Sequence, residues 1–299
     1  MLRTACLFGA LALAAFCCLP AMAQSPQSTT VAPVGVTAGD PAEKFVSSYA
    51  ALTPIDQLAT WRAGEGVCPQ AYGVPNEVGA QVTQRLLAIA SLVDAPVRRT
   101  PCEPNVMIVF TLHAQEQVDQ ILATQPARFG LLKPGGSKPS VTMTNPVQAW
   151  YVTETVDWSG RARRDDNTLG GKTFNLRTGR STEGGVDGRA GSRLGEGLES
   201  HFVSVLIVID GAKVDIDPNG PITDYIAMLA LAQTKNFAQC HGLPSVANLA
   251  APYCSAGATM RLAGADIAYL RGLYAVRMTD KASLQKDEIA KRITRDAPH

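Results

Sequence analysis

Asp215-Ile216-Asp217-Pro218-Asn219-Gly220 sets side-chain oxygens at alternate positions and then a glycine, as the opening of a twelve-residue calcium loop does, with Ile222 at its apolar eighth position. The twelfth position should be a bidentate Glu and is Ile226. Pro218 also stiffens a loop that must wrap an ion. The same residues describe a strand-to-helix turn in which Gly220 caps and Pro221 takes the first helical position. Asp215, Asp217 and Asn219 are therefore a calcium candidate with an incomplete ligand set, and no cofactor is expected.

Other matches fall further short. Gly171-Lys172-Thr173 resembles the end of a phosphate-binding loop, but Asp166 stands where that loop needs its first glycine, and a carboxylate there repels phosphate. Gly195-Glu196-Gly197 precedes a strand-like run, whereas a dinucleotide fingerprint follows one. Ser283-Leu284-Gln285-Lys286 has the S-x-x-K spacing of penicillin-interacting enzymes, without K-T-G and within a charged segment that reads as a solvated helix face. No G-x-S-x-G is present, and His113, His201, His241 and His299 have no carboxylate at a telling spacing.

The cysteines sort by position. Residues 1–23 carry Arg3, an apolar run to Leu19 and Ala21-Met22-Ala23, the pattern of a secretory signal cut after Ala23. The run stops at Pro20, short of the roughly 20 apolar residues that span a bilayer, so no transmembrane anchor is expected. Loss of Cys6, Cys17 and Cys18 with the signal leaves Cys68, Cys102, Cys240 and Cys254. In an oxidising compartment four cysteines read as two disulfides with three connectivities. The pairing local in sequence, Cys68 with Cys102 and Cys240 with Cys254, is the one expected. A zinc site from Cys240, His241 and Cys254 competes poorly, because adjacent Cys and His side chains rarely face one ion.

The elements that must position these residues follow from hydrophobic period. Residues 24–41 are rich in Ser, Thr, Pro and Gly and read as a flexible leader, with one α+β domain over 42–299. Phe45, Tyr49, Leu52 and Ile55 make an amphipathic segment that Pro54 breaks. Val78, Val82, Leu86, Ile89 and Val93 step along one buried helix face, with Asn76 placed to cap it. Strands are expected at 105–111, 148–157 and 202–210, and helices at 114–124, 222–234, 264–274 and 281–293. Residues 159–199 hold ten glycines and seven arginines among few apolar side chains, and read as a mobile insertion that cannot hold a core. A net charge of +1 leaves no footprint for nucleic acid, and 46% hydrophobic residues exclude a disordered chain.

Cys68-Pro69, Pro104-Asn105 before NVMIVFT, Ala149-Trp150-Tyr151, FVSVLIVID leading into TDYIAMLALAQ, Pro244-Ser245 and DIAYLRGLY from Asp266 to Tyr274 together resemble a secreted alphaproteobacterial family of unknown function over about 68–293. The helix after the strongest strand and the later Leu-Tyr helix also resemble a domain derived from zincin metallopeptidases. Zincins hold zinc with H-E-x-x-H on that central helix. Here the helix carries Asp224, Tyr225 and Met228, and no His lies between His201 and His241. The resemblance thus implies a zincin-like α+β scaffold without its metal. The expected role is that of an exported, periplasmic or secreted, non-catalytic envelope protein with an envelope partner or small ligand. The alternative is a metal-independent hydrolase of envelope material using Asp224 or Asp266 with Tyr225 or Tyr269.

Overall fold

The computed structural model describes residues 40–131, 141–165, 173–175, 180–182, 197–234, 239–251, 254 and 256–296. The expected signal and most of the expected leader lie outside the described residues, as does most of the 159–199 segment. Helix α1 (Pro41–Tyr49) starts at Asp40, whose carboxylate accepts from the Ala42 N–H, and Pro41 fills a first-turn position. It ends at Tyr49, five residues before Pro54. Strand β1 (Pro69–Tyr72) and helix α2 (Asn76–Leu92) follow, then β2 (Val106–Thr111) and α3 (Ala114–Thr124). Asn76 falls inside α2 and makes no capping bond; the helix begins after Pro75, which presets the turn without a side-chain acceptor.

Strands β3 (Val147–Val156) and β4 (Ala162–Arg164) form a hairpin, β5 (Thr173–Asn175) pairs antiparallel with β6 (Arg180–Thr182), and β7 (Glu199–Asp210) is the longest strand. Both ends of the glycine-rich segment therefore belong to the main sheet. Helices α4 (Pro221–Leu231), α5 (Gly264–Ala275) and α6 (Ala282–Asp296) complete the order. Gly220 caps α4 in extended conformation and Pro221 is its first residue.

The fold is mixed α+β around a five-stranded sheet in the order β1-β2-β7-β3-β4. β1, β2 and β7 run parallel, while β3 lies antiparallel to both β7 and β4. β2 and β7 are nearly continuous apolar runs because the sheet is covered on both faces. Val106, Ile108, Phe110, Val205, Ile207 and Ile209 face the larger core with α1, α2, α4, α5 and α6. Met107, Val109, Leu206 and Val208 face a smaller one with α3, Phe129 and Trp150. Every residue of α4 from Ile222 to Leu231 is buried, so α4 is the axis on which the outer helices pack.

Two disulfides staple this arrangement, Cys68–Cys102 and Cys240–Cys254. The first joins the approach to β1 to the approach to β2, where Asn105 accepts from the Cys68 N–H and donates to the Gly66 carbonyl. The second closes the connection between α4 and α5. No helix among the described residues is long and apolar enough to cross a membrane.

Candidate functional site

The four side chains proposed for acid–base work are all in the core. Asp224, on the first turn of α4, has a fully buried carboxylate. Arg85 of α2 grips it with two bonds of 2.7 and 2.9 Å, the Leu262 N–H donates at 2.9 Å, and Arg261 stands at 3.7 Å. The fork-on-fork geometry uses both oxygens. Asp266, at the start of α5, accepts from the Ser245 hydroxyl at 2.5 Å and from the backbone N–H groups of Val246 and Ala263. Burial pushes its carboxyl up to about 6, against the lowering effect of those three donors. Tyr225 and Tyr269 are buried, and burial raises both phenols. The two carboxylates lock loops to helices.

The Asp215–Gly220 segment is a turn. Asp217 accepts from the Asn219 N–H at 2.8 Å, and its carbonyl accepts from Gly220. Among the described residues no three His, Cys, Asp or Glu side chains gather as a metal cluster.

The sheet end near β4 holds a polar group that motif reading missed. Glu154 of β3 lies opposite His201 of β7 on one side and Arg164 of β4 on the other. Burial and the nearby Glu65 push Glu154 up to about 7, with Arg62 and Arg164 pulling the other way. The His201 Nε2 lies 3.0 Å from Glu199. On the opposite face the buried Asp165 accepts from Thr153 and Thr155 at 2.7 and 2.8 Å. Strand alternation sets these two groups on different sides.

An open cleft lies elsewhere. It measures about 430 Å³ and is lined by Lys44, Ser47 and Ser48 of α1 and by Gln239, Cys240, His241 and Gly242. That size falls within the range of small-molecule sites. α1 reaches it because Phe45 and Tyr49, on the helix's apolar face, pack with Tyr269, leaving the Lys44–Ser48 face outward. The end of α1 is also tied back to the strand-like exit of α4, with Ala50 bridging Thr234 and the Ala51 N–H donating to Gln233.

The opposing wall is built by Asn248. Its carboxamide oxygen accepts from the His241 N–H at 3.0 Å, and its nitrogen donates to the Leu243 and Gly257 carbonyls. Gly242 takes φ +79°, a left-handed conformation that suits glycine, and Cys240–Cys254 closes the loop from the other side. The His241 ring is buried against Phe45 and Tyr49, and its Nδ1 lies 2.9 Å from the Ser48 hydroxyl.

That Ser–His contact invites comparison with an activated nucleophile. Ser48 also donates to the Phe45 carbonyl at 2.9 Å. A hydroxyl has one proton, so Ser48 donates either to the Phe45 carbonyl or to the imidazole, and only the second arrangement is that of a general base. In both, Ser48–His241 joins α1 to the cleft wall. No family model, curated protein or solved structure matches the chain.

Proposed function

We propose that this chain is an exported envelope protein whose role is to bind a small ligand in the Lys44–Gly242 cleft, without transforming it. The observation that carries the reading is the contrast in use of polar atoms. Asp224 and Asp266 spend their oxygens on internal partners, whereas the Lys44 ammonium and the exposed Ser47 hydroxyl face the cleft beside a preformed wall. Two disulfides support an oxidising compartment, and the signal-like residues 1–23 support export to it.

The test is native mass spectrometry of the mature protein after incubation with a small-molecule extract of the cell envelope. A non-covalent adduct is expected that disappears on denaturation and in Ser47→Trp, whose indole fills the cleft from an exposed position. A protein that stays free in every fraction would overturn the reading. The competing hydrolase reading rests on the 2.9 Å Ser48–His241 contact. It requires a fluorophosphonate to label Ser48 with loss of fluoride; we expect the protein's mass to remain unchanged.

A further inference from the structure

Resting on the binding reading, we infer that the cleft selects a small carboxylic acid as its monoanion, with Lys44 as the group that recognises the charge. Among the described residues the lining contains Lys44 and no Asp or Glu. Lys44 makes no ion pair among the described residues, although other surface Lys and Arg side chains, such as Lys213, Lys291 and Arg292, are matched to a neighbouring acid. An ammonium with the Ser47 hydroxyl beside it presents donors and positive potential to the same small volume. That combination stabilises an anionic oxygen and leaves a neutral group without compensation for displacing the water around Lys44.

Two features limit the charge and size of the ligand. Lys44 is the one Lys or Arg among the described residues of the lining, and these residues balance a single negative charge. Ser48 lies in the last turn of α1, where the unpaired helix carbonyls place negative potential; a phosphate dianion would bring a second charge toward that end. A carboxylate can approach Lys44 and Ser47 at the mouth while an uncharged body lies over Cys240 and Gly242. A volume of about 430 Å³ suits a body the size of a small ring. Because Asn248 and Cys240–Cys254 hold the wall already formed, binding requires little ordering of the loop.

The experiment is an NMR titration of the ¹⁵N-labelled mature protein with sodium benzoate, benzamide and sodium phosphate at constant ionic strength. Benzoate is expected to give saturable shifts confined to the amides of the Gln239–Gly242 wall and of α1. Benzamide should bind roughly tenfold more weakly, the loss of one charge-assisted contact, and phosphate should also bind more weakly, because its dianion brings a second charge toward the end of α1. Lys44→Ala should weaken benzoate by about the same factor while Lys44→Arg retains it. Lys44 is exposed, so Lys44→Ala is expected to stay folded. Benzamide binding as tightly as benzoate would refute the charge selection and leave ligand binding standing. Phosphate binding as tightly as benzoate would refute the carboxylate class. Benzoate affinity unchanged in Lys44→Ala would refute the role of Lys44. No saturable shift with any probe would refute the inference, and the envelope-extract measurement separately decides the binding reading.

Discussion

The carboxylates at the starts of α4 and α5 and the cleft beside α1 use similar chemistry for opposite ends. In the first region Asp224 and Asp266 gather donors from α2 and from the segments that surround α5, and the acceptors face inward. In the second, Asn248 does the gathering from behind the wall, and Lys44 and Ser47 on the facing helix remain turned to solvent. An ionisable residue on a central helix is therefore poor guidance to a site unless its lone pairs are accounted for.

Breaking the locked region should have the largest effect. Arg85→Ala leaves the Asp224 carboxylate buried with only Leu262 N–H close and Arg261 at a distance, and we expect a loss of about 3–4 kcal/mol in urea unfolding. Next in size is removal of Cys240–Cys254 by paired Ser substitution. Closure of a loop of sequence separation 14 contributes about 3 kcal/mol on the chain-entropy model, and the same change should abolish benzoate shifts because Cys240 lines the cleft. Asn248→Ala removes three hydrogen bonds and should cost about 2 kcal/mol by the same unfolding assay, with the cleft again lost.

Acid–base behaviour sharpens the comparison. Burial pushes the Asp266 carboxyl up to about 6 and the Glu154 carboxyl up to about 7, above the ordinary values of 3.8 and 4.5. The folded protein holds these protons where the unfolded chain has released them, so their contribution to stability is full below about pH 4 and declines as pH rises to about 7. Glu154→Gln should flatten the upper part of that decline and raise the melting temperature at pH 8. The smallest effect on stability belongs to Lys44→Ala, within about 0.5 kcal/mol of the parent, although this change should remove most benzoate affinity.

Much of the frame is legible in the chain itself. The alternation of two apolar faces in β2 and β7, the step of Val82, Leu86, Ile89 and Val93, and the Gly220-Pro221 start of α4 are local signals of burial and geometry. β1 escapes notice because Pro69–Tyr72 is only four residues long and gains its identity from pairing with β2. The apolar period that runs from Phe45 past Tyr49 overstates α1, whose end is decided by the Ala50–Thr234 bridge. The cleft had no local signal at all. Ser48 and His241 are 193 residues apart, and Arg85 and Asp224 are 139 apart, so neither contact leaves a spacing to read. Asn248 reads only as a polar residue in a loop until its three partners are seen.

α1 packs on α6, and Asp40 of its cap meets the Thr294 hydroxyl at 3.2 Å. A chain made from its N-terminus thus releases Lys44 and Ser48 long before His241, and the helix that supports them comes last. During synthesis α1 must wait, with Phe45 and Tyr49 uncovered, for nearly the whole domain to emerge. The cleft is accordingly among the last features to mature, and a chain cut before α6 should remain a client for chaperones rather than a weakened binder.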